Sequence, residues 1–157
     1  MRIALYQPDI PQNLGSALRL AACMGVELEV IEPCGFIFDD KRIRRAGMDY
    51  MDHAALTRHL SWEHFLQWRD LQSSAPRIIL LTTKASEPLT QFTFQPDDIL
   101  LAGRESAGVP DGVAAMADAR LRIPMQEGAR SLNVVLSLAM TLGEGLRQTR
   151  QFSQEVK

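Results

Sequence analysis

A chain of 157 residues, 46% of them apolar and 23% charged, can bury one hydrophobic core without disulfides or a structural metal. Its net charge of −2 excludes attraction of polyanions by the overall field, so any nucleic-acid contact must come from a local basic patch. No run approaches the roughly 18 apolar residues of a membrane span, and the stretch between Arg2 and Gln7 is too short for a signal-peptide core. A single cytoplasmic domain over residues 1–157 is therefore expected.

Strand-like and helix-like runs alternate, the pattern of an α/β fold with a mainly parallel sheet flanked by helices. Residues 3–6 are predicted as a first strand. Asn13 is placed as the cap of a helix over residues 14–24, with Leu14, Leu18, Ala21 and Ala22 at helical spacing and Gly25 as its stop. Residues 26–31 make a second strand, ended by Pro33. Asp39 or Asp40 opens a short basic helix through Arg45. Ser61 caps a helix to about residue 71, with Trp62, Phe65 and Leu66 among its apolar positions. The Leu/Ile-rich runs 77–83 (RIILLTT) and 98–103 (DILLAG) are read as buried strands, 110–117 as a short helix and 120–123 as a last strand.

Ser131 is read as the cap of a final helix to about residue 148. Leu132, Val134, Val135, Leu136, Leu138, Met140, Leu142 and Leu146 surround that helix, so it must be covered on more than one side. Gly143 and Gly145 each cost it about 1 kcal/mol relative to Ala. They admit either close packing within the chain or a dimer interface, and the pattern leaves both open. Cys23 and Cys34 are expected to be buried free thiols.

Several chemistries are excluded. The segment 103–108 (GRESAG) has P-loop glycine spacing but is followed by Val109 and Pro110, not Lys and Ser/Thr. No GxGxxG follows the first strand, and no GxSxG elbow is present. His53, His59 and His64 lack zinc-ligand spacing, so no metal is expected and hydrogen-bonded or solvated histidines are.

What remains is three polar, Gly- and Pro-containing loops, each at a strand's C-terminal end, where open α/β sheets bind ligands. The first, residues 8–25, carries Asn13, Gly15 and Arg19. Asn13 suits a cap, and Arg19, among apolar neighbours, calls for a carboxylate, phosphate or sugar partner. The second, residues 100–110, carries Gly103, which permits close backbone approach, and Glu105. The third, residues 122–140, carries Ile123, Met125, Ser131 and Asn133; an Asn inside a helix has poor propensity and makes better sense facing a ligand.

Together PDIPQNLG…R, LAGRESAGVP and IPMQEGARSLN resemble, in order and spacing, the three motifs of the SPOUT methyltransferases. The likeness is nearest to the small single-domain TrmL-type subgroup, the tRNA (cytidine/uridine-34) 2′-O-methyltransferases. IEPCGFIFDDKRIRRAGMDY and LTTKA resemble further segments of that subgroup. The resemblance implies an α/β fold with a C-terminal deep trefoil knot and a homodimer formed through the first and last helices. It implies S-adenosyl-L-methionine (SAM) as co-substrate, held by Leu81, Gly103, Ile123, Met125, Ser131 and Leu132. The reaction would be methylation of a ribose 2′-hydroxyl in the anticodon loop of tRNA. Arg19 would be the catalytic residue, with Asn13 and Asn133 fixing it and the sugar, and Glu105 anchoring the second loop or pairing with Arg19. A guanidinium keeps its proton in proteins, so Arg19 is expected to orient ribose and phosphate rather than act as a base. Lys41, Arg42, Arg44 and Arg45 would hold RNA phosphates.

The chain departs from the family pattern at Arg104 (often Pro or Ser), Ala107 (often Arg), LNVVLS at residues 132–137 (usually LNLSNA) and Gly143 (often aromatic). Two other readings follow: a catalytically silent knotted RNA-binding module, and a methyltransferase of ribosomal RNA. The start of the chain directly at the first strand favours tRNA.

Overall fold

Two-residue alternation along the strands assigns their side chains to two cores, one on each face of a sheet. Strand β1 (Arg2–Tyr6) sends Ile3 and Leu5 to one face and Ala4 and Tyr6 to the other. Strands buried on both faces read as continuous apolar runs, which is why RIILLTT and DILLAG are conspicuous in the sequence. The computed structural model describes residues 1–37 and 55–152. The predicted basic helix with Lys41, Arg42, Arg44 and Arg45 lies outside them.

After β1 come helix α1 (Pro11–Met24), β2 (Glu27–Ile31), β3 (Leu56–His59) and α2 (Trp62–Asp70). Then follow β4 (Ile78–Leu81), the two-residue β5 (Glu87–Pro88), β6 (Ile99–Ala102), α3 (Asp111–Ala115), β7 (Ala119–Arg122) and α4 (Val134–Thr149). Among the described residues every pairing between these strands is parallel, in the order β3-β2-β1-β6-β4-β7-β5. The register sets Ile3 beside Leu28 and Leu100, and Ile79 beside Leu100. Leu14, Ala17 and Leu18 of α1 and Leu138, Leu142 and Leu146 of α4 pack on one face; Trp62 and Phe65 of α2 and Val113 of α3 pack on the other. Burying each large apolar side chain contributes about 1.5–3 kcal/mol.

Helix ends correct the sequence reading at two places. Helix α1 begins at Pro11, whose fixed φ suits a first helical turn, so Asn13 lies inside the helix and is not its cap; Gly25 closes it at φ +65° as expected. Helix α4 is capped by Asn133, whose side-chain oxygen accepts from the N–H groups of Val135 (2.8 Å) and Leu136 (3.3 Å); Ser131 lies before the helix. Ser61 does cap α2, accepting from the N–H of His64 at 3.2 Å.

Helix α4 is not covered all round. Leu138, Leu142 and Leu146 are buried, while Leu136 and Met140 stay 57% and 50% exposed on the opposite side. Its two glycines divide accordingly: a Cβ on Gly145 would meet the Met1 side chain at 2.5 Å, whereas one on Gly143 would meet nothing within 4 Å. The cysteines are free, but Cys23 is exposed and Cys34 half-buried, contrary to expectation. Cys23 sits on the outer side of α1, and helical periodicity leaves such a position in solvent unless something covers it. His59 is buried with its Nε2 2.7 Å from Glu29 Oε2 on the neighbouring strand, in line with a hydrogen-bonded histidine. Among the described residues no helix is long and apolar enough to cross a membrane.

Strand starts are fixed by carboxylates. Buried Asp98, just before β6, accepts two hydrogen bonds from the Arg77 guanidinium at 2.8 Å each and one from the N–H of Gln95. That bidentate geometry ties the start of β6 to the start of β4. Replacing Asp98 by Ala is expected to cost about 3 kcal/mol, read as a lower urea midpoint at unchanged slope; a loss under about 0.5 kcal/mol would show the pair to be dispensable.

Candidate active site

The sheet order brings loops distant in sequence to one edge. β1, β6 and β4 are neighbours, so the segments that follow them leave the C-terminal edge side by side, and the chain beyond β7 returns across that edge to start α4 beside α1. A cavity of about 430 Å³ opens there. Leu81, Leu121, Ile123, Met125 and Leu132 give it an apolar wall; Asn13, Arg104, Glu105, Ser131, Asn133 and Ser137 supply polar groups. A few convergent polar groups on an apolar lining are the composition of a small-molecule site.

All six residues expected to hold a co-substrate, Leu81, Gly103, Ile123, Met125, Ser131 and Leu132, line this cavity, as do Asn13, Glu105 and Asn133. Arg19 does not: it is exposed farther along α1. Six residues of helix separate it from Asn13, a rise of about 9 Å with a turn onto another face, so one chain does not bring the two together at the cavity. Ile10, Thr82, Thr83, Val134 and Ser137 line the cavity without having been singled out. Thr82 and Thr83 had been assigned to the end of a strand; β4 ends at Leu81, which puts both in a loop that lines the cavity. Their position at the C-terminal end of an apolar run was the available signal.

Hydrogen bonds join the three loops. One oxygen of Glu105 accepts from the N–H of Asp9 at 2.7 Å and the other from Asn13 Nδ2 at 2.9 Å. Asn13 Oδ1 in turn accepts from Asn133 Nδ2 at 3.1 Å, and Asn133 caps α4. Through these bonds Glu105 ties the second loop to the first. Asp9 adds a second tie, accepting from both the N–H and the hydroxyl of Ser106. The Ser106 hydroxyl above all holds the Asp9 carboxyl below its ordinary value; burial, the next largest effect, opposes it, and the Ser106 N–H and the charge of Arg104 add to the lowering.

The second loop is a closed hairpin. The N–H of Arg104 donates to Gly108 O (2.9 Å) and that of Gly108 to Arg104 O (2.8 Å). Gly108 sits at φ +68°, and a Cβ on Gly103 would lie 2.5 Å from the Gly108 carbonyl carbon, so both positions require glycine. Cys34, packed near this region, is no nucleophile: burial first, and then the neighbouring Glu32, pushes its thiol up to about 11.

Comparison with known proteins places this geometry in context. The model of the SpoU rRNA methylase family matches residues 1–143. A protein of Beijerinckia indica named tRNA (cytidine(34)-2′-O)-methyltransferase is 60% identical over 146 residues, which are 93% of this chain and 90% of the relative. A solved structure described as giving insights into the 2-OH methylation of C/U34 on tRNA superposes with a TM-score of 0.87 at 36% identity, covering 94% of both chains. An AdoMet-bound rRNA methyltransferase from Sinorhizobium meliloti superposes with a TM-score of 0.81 at 26% identity, over 93% of this chain and 55% of that one.

Two outcomes test the site as a physical unit. Asn13→Ala removes the link between Glu105 and Asn133 and is expected to cost about 1–2 kcal/mol in urea unfolding; no measurable loss would mean the three loops are held without it. The Asp9 contribution should be fully present above its ordinary pKa of 3.8 and be lost as pH falls through the lower folded value. Acid unfolding of Asp9→Asn should therefore lack that component, and profiles that superimpose below pH 4 would contradict the assignment.

Proposed function

The chain belongs to the SpoU rRNA methylase family, and from that membership we propose that it is a SAM-dependent tRNA 2′-O-methyltransferase acting on the nucleotide at position 34, cytidine or modified uridine, of the anticodon loop. The observation that carries the reading is the convergence of the three motif loops on one cavity in a chain 60% identical to a protein named for that activity.

The residues present suit SAM. The apolar wall of Leu81, Ile123 and Leu132 accepts a flat, weakly charged adenine, and the glycine at 103 keeps the approach to main chain open. When bound there, SAM supplies a methyl group on a cationic sulfur, and transfer discharges that cation, so a dry apolar wall favours the change. Most of the chain's own contribution is positioning. Asn13 and Asn133, already locked to each other, present amide groups to the ribose. Glu105, with its oxygens engaged by the N–H of Asp9 and by Asn13, holds the loop and does not serve as the base. The 2′-hydroxyl proton passes to phosphate or water. The path of the chain from β7 across the ends of β4 and β6 to a helix packed on α1 supports the deep trefoil knot of this reading.

A homodimer is part of this reading, and the outer face of α4 supports it. Leu136 and Met140 expose an apolar stripe on α4, Gly143 leaves room for a close neighbour, and α1 lies against the same helix. A second copy laid on this face covers the stripe by two-fold symmetry, and Arg19, outside its own chain's cavity, then serves the partner's, orienting ribose and phosphate. Lys41, Arg42, Arg44 and Arg45 remain assigned to RNA phosphates. A ribosomal RNA substrate is the second reading; the 60% identity to a protein named for tRNA position 34 favours tRNA over it.

Incubation with SAM and bulk tRNA from a strain lacking the enzyme, followed by nuclease digestion and mass spectrometry, is expected to place one 2′-O-methyl group at position 34. Modification elsewhere, or of ribosomal RNA alone, would overturn the assignment. Arg19→Ala should abolish turnover while SAM still binds. Mixing Arg19→Ala chains with Gly103→Val chains, each inactive alone, should restore turnover if Arg19 acts across the interface; a mixture as inactive as its parts would assign Arg19 to its own chain's cavity or to none.

A further inference from the structure

A second hollow, of about 250 Å³, lies beyond the 103–108 hairpin on the side of α3. It shares Leu81, Thr82, Thr83, Gly103 and Gly108 with the first cavity, so the two adjoin across the end of β4 and the hairpin. Its character is different. Lys84, from the loop after β4, and Arg120, from β7, both line it, against the single carboxylate of Asp111.

Neither cation is engaged by a hydrogen bond or ion pair to another described residue. Several arginines elsewhere are paired, among them Arg2 with Glu27, Arg69 with Asp70, Arg77 with Asp98 and Arg147 with Glu144, whereas Lys84 and Arg120 share one hollow with a single carboxylate. Lys84 is also set in place locally, its N–H donating to Thr82 Oγ1 at 3.3 Å. Two unpaired cations and the Thr82 and Thr83 hydroxyls around one hollow form a donor set with too few acceptors. What completes it is a compact anion with several oxygens.

Resting on the reading of the first cavity as the place where ribose meets SAM, we propose that this second hollow seats a backbone phosphate of the RNA strand adjacent to the methylated nucleotide. Every ribose in an RNA chain is flanked by phosphodiesters, and a strand that delivers its sugar to Asn13 and Asn133 carries the next phosphate past the hairpin. Lys84 and Arg120 then fix the strand's register from the side opposite α1. The carboxylate of SAM carries similar oxygens, and the test separates the two sources.

The double variant Lys84→Ala/Arg120→Ala alters two exposed side chains and should keep the wild-type melting temperature. Filter binding to bulk tRNA from a strain lacking the enzyme is expected to weaken about tenfold at low salt. The slope of log affinity against log salt should fall by about 0.7, the value for one phosphate on a single strand. KM for tRNA should rise, and SAM affinity by calorimetry should not change. Asp111→Asn should shift RNA affinity the opposite way. Unchanged RNA affinity and salt slope in the double variant would overturn the proposal. A fall in SAM affinity with RNA binding intact would overturn it too, assigning the hollow to the co-substrate. Wild-type protein that neither binds SAM nor modifies tRNA would remove the parent reading and this one with it.

Discussion

One carboxylate sits at the junction of the loops that line the cavity. Glu105 stands on the hairpin after β6 and takes hydrogen bonds from the segment after β1 and from the first turn of α1, while Asn13 passes the connection on to the cap of α4. Each such bond contributes only about 1 kcal/mol net. Their effect is geometric: three segments that meet nowhere in sequence are held at hydrogen-bond distance. A transferase that works by orientation depends on that, because small displacements of its positioning groups are costly in rate.

Stability and ligand chemistry are kept at opposite edges of the sheet. The N-terminal edge carries the carboxylates that fix strand starts: Asp98 with Arg77, and Asp118, which accepts from the N–H of Ile78 at 2.7 Å. The C-terminal edge carries the cavity, two positions that tolerate only glycine, and the cations Lys84 and Arg120 around the second hollow. A buried ion pair brings uncertain net stability but fixes register. With the register fixed at one edge, the loops at the other edge are left free for ligand chemistry.

The two sides of α4 differ in character. Its buried side holds the core together and its outer side exposes Leu136 and Met140. The two glycines, indistinguishable as letters in a sequence, serve different neighbours: Gly145 yields to Met1 in the same chain, and Gly143 faces open space.

The sequence by itself determined the strands of the inner sheet and most of the cavity wall. Runs buried on both faces, a glycine stop at Gly25 and a serine cap at Ser61 are local signals that owe nothing to distant residues. Gly103 and Ile123 were legible for a related reason, since residues at strand ends point to the ligand edge of a parallel sheet, whereas Leu81 was implied only by the family resemblance. The tertiary structure decided the rest. Edge strand β3 (Leu56–His59) and two-residue β5 have no apolar run to mark them and exist because a neighbouring strand offers hydrogen bonds. Asn133 rather than Ser131 caps α4 because Asn13 holds its amide in place, and Arg19 lies off its own cavity because helical rotation, invisible in a motif, carries it to another face. Local codes depend on short-range sterics and hydrogen bonding within a few residues. Where separate loops meet depends on sheet order, and no neighbouring residue encodes that.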